Sequence, residues 1–581
     1  QWEPRLTHNT LHIEPPHDEG YHLTEGMADE ALKWLDNYQA YSPDKPFFIY
    51  WAPGAVHGPH HVAAAWSDKY KGKFDDGWDA YRQRTFKRQL EMGIIPEGTQ
   101  LTERDESMQG WDDIPEAQRP FQRRLMEVYA GFVEHTDTQV LRVIEGLEER
   151  GLRDNTLVIY IWGDNGSSSE GVQGTISELL AQNQIDAPVE KQIEVLESFG
   201  GLKKLGTPEV DNMYHAGWAW AGSTPFKGTK LVASYFGGTR NPMVISWPKK
   251  IKPSDQIRNQ FHHVVDIVPT LYDILGITPP KVVHGHEQMP FDGFSLKYTF
   301  DEPNRPSTNN EQFFDNFASR GIYQDGWMAC TFGPLVPWDP ANNPKRMKGW
   351  DSEQDVWELY HVEEDFSQAN DLAAQNPQKL AAMKTRFMEL AEDNSDLPIG
   401  GAIWTRLHPD DVVKSPYTKW TFTGNTRRMP EFTAPGLGKR NNTVDIKLTC
   451  EENASGVLYA LGGASAGLTC FMEDGHLCYE YNLLLYERYK VRSQKRVPAG
   501  DHNIRIETTL ARPGAPLTVK VFVDDKLFAE MTTKQSVPAA FTASETFDVG
   551  IDLGSPVSRD YAKRRPFEFE GKISTVDVEL K

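Results

Sequence analysis

Between Leu23 and Tyr41, the residues Met27, Ala31, Trp34 and Leu35 fall on roughly one helical face, and Thr24 stands where a capping hydroxyl would, so the stretch is predicted to be a surface helix. After the turn-forming run Ser42-Pro43-Asp44-Lys45-Pro46 comes Phe47-Phe48-Ile49-Tyr50-Trp51, an unbroken apolar run of the kind that forms a strand buried on both faces. The same grammar returns from Gln118 to Gly163. Leu125, Val128, Tyr129, Phe132, Val133, Val140, Val143, Ile144 and Leu147 recur at helical spacing, Gly151 ends the helix, and Thr156 to Trp162 reads as a second buried strand. A third apolar run, Pro242 to Trp247, precedes a helix from Val264 to Leu275. Helix and strand alternating in this way predict an α/β layer structure with a mostly parallel sheet flanked by helices. Residues 63–118 and 171–215 are long, polar and poor in β-branched runs, and are expected to be insertions that shape a cleft.

From Val444 onward the period changes from helical to alternating. Val444-Asp445-Ile446-Lys447-Leu448 and Leu517 to Val523 place apolar residues at every second position, with Asp-Gly and Asp-Asp turns between the strands. This predicts a separate all-β sandwich over residues 441–581, joined by a linker over 409–440 that shows no sustained period. A chain of 581 residues exceeds what one core supports, in agreement with several domains.

Charge and composition narrow the function. Lys and Arg number 61 against 83 Asp and Glu, a net charge of -22, which argues against general binding to nucleic acid or an anionic membrane surface. No apolar run is long enough to span a bilayer. The first residue is Gln1, and no basic segment followed by an apolar one stands near it, so a trimmed or partial chain is expected. The four cysteines are too sparse for a disulfide scaffold and lack the spacing of a zinc site. Cys470 and Cys478 flank an Asp474-Gly475 hairpin turn, which leaves a local bridge and buried free thiols both open, with the thiols preferred.

Three segments carry residues suited to chemistry. Trp162-Gly163-Asp164-Asn165-Gly166-Ser167 sets a carboxylate and an amide oxygen at the end of a predicted strand, hard donors of the type calcium or magnesium takes, although Asn-Gly alone is also a plain turn. Trp51 to His61 leaves another strand end and brings His57, a side chain suited to proton transfer, followed by His60 and His61, so that a metal patch is an alternative. Ser223-Thr224-Pro225-Phe226-Lys227-Gly228-Thr229-Lys230, followed by Gly237-Gly238-Thr239-Arg240-Asn241-Pro242, supplies cations that could neutralise a tetrahedral oxyanion; two solvated surface lysines are the alternative.

Taken together, in this order and with these flanks, the segments resemble the type I sulfatases of the alkaline phosphatase superfamily. Phe261 to Leu271, Trp357-Glu358-Leu359-Tyr360 and Asn370-Asp371-Leu372-Ala373 extend the likeness across most of residues 20–400, and the loop Phe74 to Asp79 with the appended β domain is similar to the larger bacterial arylsulfatases. The resemblance implies an alkaline-phosphatase-like α/β core over residues 1–305 and a small α+β subdomain over 306–408. It implies that Asp164 and Asn165 bind a divalent cation, calcium ahead of magnesium, and that His57 and Lys230 contact the sulfate and stabilise or protonate the departing alcohol or phenol. Lys230 is preferred to Lys227 because it matches the family lysine counted from Thr224-Pro225-Phe226, although the run to Gly237 is one residue longer than in many relatives. The implied substrate is a sulfated small molecule or glycan, and the family's location is periplasmic or secreted.

Sulfatases of this type attack sulfur with a formylglycine made from Cys or Ser in a Cys/Ser-x-Pro-x-Arg segment, by a formylglycine-generating enzyme. No such segment occurs in this sequence, and Cys330, followed by Thr331-Phe332-Gly333-Pro334, does not match it. The early Asp pair and the Lys-x-His segment of the family are absent too, and all three are expected to precede Gln1 in a longer protein, leaving the present chain inactive alone. A phosphodiesterase or phosphonate hydrolase of the same superfamily is the alternative enzyme reading. A catalytically dead relative that binds a glycan or partner through Tyr479, Tyr481, Tyr486 and Tyr489 is the non-enzyme one.

Overall fold

The computed structural model describes residues 1–16, 20–252, 256–408, 411–413 and 415–581. Its longest helix, Arg119–Glu149, buries Leu125, Val128 and Phe132 completely, as the helical spacing predicts. Leu23–Tyr41 is helical over the expected span, but its N-cap is His22, whose Nδ1 accepts from the Thr24 amide at 3.3 Å. The helix also buries a different stripe, Thr24, Ala28 and Leu35, and leaves Trp34 largely in solvent. An imidazole nitrogen does the work assigned to the Thr24 hydroxyl because Thr24 already lies inside the first turn, where its buried hydroxyl has no partner.

The α/β organisation and the appended β domain stand as expected, while the strand pairing in the α/β part differs in detail. Val158–Ile161 pairs antiparallel with Met243–Ser246, Val158 facing Ser246 and Ile161 facing Met243. The run Phe47 to Trp51 is not assigned as a strand, and Phe48 and Tyr50 are 74% and 84% exposed. Burial on both faces was expected of an unbroken apolar run. It requires covering layers above and below, and among the described residues these two rings have none.

The segments expected to be insertions share one core with the Arg119–Glu149 helix. Gly77–Glu91 is a helix, and Phe74, Trp78 and Trp111 pack with Trp218 of the helix Ala216–Gly222, Trp78 and Trp111 edge-to-face at 4.9 Å. Arg82 is buried beside them. Its guanidinium donates to Trp220 O at 2.9 Å, Thr102 Oγ1 at 2.7 Å, Pro225 O at 3.0 Å and Phe226 O at 2.9 Å, and burial lowers its pKa to about 9. These bonds satisfy the two terminal nitrogens of the buried charge while Nε has no partner, and they clamp the start of the segment that carries Lys230.

Residues beyond 306 form an antiparallel four-stranded sheet, Glu311–Asn316, Ser319–Gln324, Trp327–Thr331 and Glu358–His361, packed against the helix Pro377–Asp393 through Phe387. The β domain is two six-stranded antiparallel sheets around one core that includes Val444, Ile446, Leu448, Val519 and Val521. Strict alternation in Leu517–Val523 is the direct cause, since each inward Val or Leu contributes roughly 1.5–3 kcal/mol when fully buried. Two strands fall within the expected linker: Lys419–Phe422 pairs with Lys572–Leu580, and Met429–Pro430 with Thr546–Val549, while residues 409, 410 and 414 lie outside the described residues. Asp474 and Gly475, both at positive φ, turn Gly467–Glu473 into His476–Leu483, and Cys470 and Cys478 are buried free thiols.

Asn183 fastens this domain to the α/β part, donating to Ala540 O at 2.9 Å and accepting from the Ala539 amide at 2.8 Å. Deeper in the sandwich, Asp552 accepts from the Tyr561 hydroxyl at 2.6 Å and the Val557 amide at 2.9 Å, while its Oδ1 has no partner. Burial raises its pKa to about 7, with Asp548 and Glu480 adding to the shift. The folded state therefore holds a proton that the unfolded chain releases. The stabilisation is complete below the ordinary carboxyl range and is lost as pH rises through about 7, at up to about 1.4 kcal/mol per pH unit. Calorimetry is expected to show the β-domain transition moving to lower temperature from pH 4 to pH 7, more steeply than in Asp552→Asn; equal slopes would refute the assignment.

Candidate functional site

Three stretches converge on one place. The loop after Trp51 carries His57, whose ring sits with Nδ1 at 2.8 Å from the Gly58 carbonyl and Nε2 at 2.9 Å from Lys230 Nζ. The carbonyl can only accept, so Nδ1 carries the proton and Nε2 accepts from the ammonium. Lys230 Nζ also lies 2.8 Å from Glu170 Oε2. Burial alone would raise the Glu170 pKa, but the hydrogen bond and charge of Lys230, with Ser168 and His57, hold it below the ordinary carboxyl value.

The backbone explains why these side chains meet. The Lys230 amide donates to Ser167 O at 2.9 Å and the Ser169 and Thr229 hydroxyls pair at 2.9 Å, so the segment after Asn165 lies along the segment that carries the lysine. The Gly166 amide donates to Asn241 Oδ1 at 3.3 Å. A Cβ on Gly166 would fall 2.1 Å from Gly237 O, so a side chain at this position is excluded by close approach of the two backbones.

Of the residues singled out from sequence, His57 and Lys230 touch directly. Asp164 is exposed and Asn165 half-buried on the loop that precedes these contacts, tied to the lysine through Ser167 O. Lys227 points elsewhere, with its Nζ at 2.6 Å from the Tyr360 hydroxyl and 3.4 Å from Glu358. His60 and His61 turn inward, and burial lowers the His60 pKa to about 3, which leaves it neutral. They form no metal patch with His57: among the described residues no group of three or more His, Cys, Asp or Glu side chains is arranged to hold a metal.

Glu170 was missed by the sequence reading. It lies just past Asp164-Asn165 in a serine-rich run with no motif, and its partner is reached only through the fold. Asp164 and Asn165 offer the oxygen donors that calcium takes, but two residues make only part of a set of six to eight ligands.

Residues 3–277 match the family model described as Sulfatase. The chain is similar to an uncharacterized sulfatase of Schizosaccharomyces pombe, 27% identical over 384 residues that cover 64% of this chain and 62% of that protein. It is also similar to an arylsulfatase of Klebsiella aerogenes, 27% identical over 277 residues that cover 48% of this chain and 55% of that one. Among solved structures, a putative sulfatase of Bacteroides fragilis matches with a TM-score of 0.36 and 16% identity, covering 65% of this chain and 60% of that chain. The chain thus spans 62% and 55% of the length of these two curated relatives. No helix among the described residues is long and apolar enough to cross a membrane.

Proposed function

Residues 3–277 belong to the sulfatase family, and from that premise we propose that the whole protein hydrolyses sulfate esters, aryl sulfates among them. The observation that carries the reading is Lys230, held between His57 Nε2 at 2.9 Å and Glu170 Oε2 at 2.8 Å. An ammonium has three N–H donors. Two are spent on these partners, and the third is available for a sulfate oxygen or for the oxygen that departs with the alcohol. Glu170 fixes the ammonium in place, and the cation in turn keeps this carboxylate ionised to lower pH than a free one. His57, with its proton fixed on Nδ1, accepts from the lysine at Nε2 and so orients the ammonium, whose remaining N–H can stabilise or protonate the departing oxygen.

Asp164 and Asn165 would hold calcium as part of a larger ligand set, and a bound calcium would supply charge neutralisation at the ester sulfate. The nucleophile is proposed to be a formylglycine carried outside these 581 residues, since no Cys/Ser-x-Pro-x-Arg segment occurs within them. A formylglycine-generating enzyme would be the maturation partner.

The test is an assay of the whole protein, co-expressed with such an enzyme and supplied with calcium, on an aryl sulfate and an aryl phosphate diester side by side. Sulfate turnover that collapses in His57→Ala supports the proposal. Turnover of the phosphate diester alone would transfer the site to the phosphodiesterase reading, and turnover of neither would leave a binding protein. Of the four tyrosines on which that last reading rests, Tyr479 and Tyr481 are buried in the sandwich core, and Tyr486 and Tyr489 are half-buried against it.

A further inference from the structure

The α/β part and the β domain exchange one leucine each. Leu180, a few residues past the strand Gln173–Thr175, is buried in the core of the β sandwich, with Leu179, Ile185 and Ala187 packed against that core. In return Leu485, from the turn between His476–Leu483 and Glu487–Arg496, is buried in the α/β core that includes Val189, Leu196 and Val232. Its neighbour Leu484 belongs to the sandwich core, so two consecutive side chains enter two different domains. We propose that the β domain is a brace for the candidate site: the exchanged leucines hold the arm of chain that begins at Glu170, and Leu180 and Leu485 are positioning residues for the contact between Glu170 and Lys230.

Three observations carry the inference. The first is backbone strain at the exchange. Leu484 and Leu485 have φ of 53° and 62°, a left-handed conformation that few residues other than glycine adopt and that glycine adopts at no steric cost. A turn alone would be served better by glycine, so a leucine here is explained by what its side chain reaches. The buried Asn482 holds the strained turn, its Oδ1 accepting from the Leu485 amide at 3.1 Å and its Nδ2 donating to Ala464 O at 2.9 Å.

The second observation is that the arm is hydrogen-bonded without a break from the site to the exchange. Beyond Glu170, Val172 O accepts from the Ala216 amide at 2.8 Å, Gln173 and Thr175 pair with His215 and Met213, and Ile176 O accepts from the Asp211 amide at 3.0 Å. The chain then enters the sandwich at Leu180. The third is that polar contacts fasten the same seam: besides the bonds of Asn183 to residues 539 and 540, the Arg559 guanidinium of the β domain lies over the Phe199 ring at 3.8 Å. A shift of the β domain therefore pulls on the arm, and through the arm on Glu170.

Hydrogen exchange of the 581-residue protein, followed by mass spectrometry, tests the brace without reference to turnover. Leu485→Gly relieves the strain and removes the anchor. If only the turn matters, the site should stay as protected as in the parent; the brace predicts that amides in 166–172 and 227–232 exchange about tenfold faster. Leu180→Ala removes the anchor from the opposite side, is expected to have the same effect, and decides the matter if Leu485→Gly does not fold. Leu485→Met, which keeps an apolar side chain of similar volume, and Leu527→Ala, at an exposed position of the sandwich, are expected to exchange like the parent. A second readout, in the whole protein, rests on the sulfatase reading. Lys230, His57 and Glu178 are the charged groups that act on Glu170, and Lys230 does most to hold its pKa down. A loosened contact lets that pKa rise, so the acid limb of kcat/KM is expected to move to higher pH in Leu485→Gly and to return in Leu485→Met. Unchanged exchange at 166–172 in the folded anchor variants, equal loosening by Leu527→Ala, or an acid limb that stays in place would each overturn the brace. Faster exchange in a protein that turns over no sulfate ester would uphold the brace and remove the sulfate-hydrolysis reading instead.

Discussion

Replacing Lys230 with alanine is expected to lower aryl sulfate turnover by the whole protein by about 10²–10³-fold in kcat, or roughly 3–4 kcal/mol of transition-state stabilisation. The argument is geometric. Lys230 is the cation in direct contact with His57, and its side chain is only 12% exposed, so no solvent cation substitutes for it without reorganisation. Its loss also leaves Glu170 half-buried without its counter-charge, which by itself makes the site repel a sulfate. Two further variants separate these effects. Glu170→Gln keeps the shape and removes the negative charge, and is expected to cost about tenfold through loss of lysine positioning rather than loss of the cation. Lys227→Ala, which disturbs Tyr360 and Glu358 instead, should leave kcat within a few-fold. Steady-state kinetics on all three decide the matter. If Lys227→Ala is the more damaging, the assignment of the lysine is wrong.

Gly237→Ala is expected to damage the fold of the site more than its chemistry. An added Cβ would lie 2.3 Å from Gly228 O and 2.4 Å from Lys227 O, distances at which the backbone itself must move. The Gly237 amide donates to that same Lys227 carbonyl at 3.0 Å, so the movement breaks the bond that closes the loop around residues 227–237. Overpacking against side chains costs typically 1–3 kcal/mol, and against backbone the upper end or beyond is expected, roughly 3 kcal/mol or more. Because Lys230 sits inside the loop, activity should fall with stability. Gly401→Ala is the control, since nothing lies within 4 Å of the added atom, and its melting temperature should match the parent. Thermal unfolding followed by circular dichroism reads both variants, and an unshifted midpoint for Gly237→Ala would refute the close approach.

The two expectations share a structural cause. The candidate site is held together by close packing of the 163–170 and 223–241 stretches, with the Ser169, Thr229 and Asn241 side chains bridging them, and His57, Glu170 and Lys230 meet on that frame. Glycine at 166 and 237 is required there for space, and Arg82 fixes the entry of the second stretch from below. A change at any of these positions acts on chemistry through position, which predicts losses in kcat accompanied by losses in stability. A change at His57, whose loop is exposed, should reduce kcat with little effect on melting.

Periodicity alone determined the elements that rest on short-range order. The helices Leu23–Tyr41 and Arg119–Glu149, the alternating strands of the β domain and the turn at Asp474-Gly475 were all legible, because each depends on the spacing of apolar residues a few positions apart. The residue types of His57, Asp164, Asn165 and Lys230 also marked the three stretches that converge. What periodicity does not encode is which surfaces become neighbours. Lys230 meets His57 across 173 positions while Lys227, three residues away, turns to Tyr360, and no local signal separates the two lysines by direction. Glu170 has a role only because Ser167 and Ser169 lie along Thr229 and Lys230. The tyrosines at 479 and 481 read from sequence as cross-strand packing ahead of an exposed platform, and the sandwich core takes them in. Phe47 to Trp51 is apolar throughout, yet its burial depends on layers that sequence-local physics does not supply. Local free energies select helix, strand and turn; the long-range contacts, each weak and many of them mutually exclusive, are decided only when the whole core packs at once.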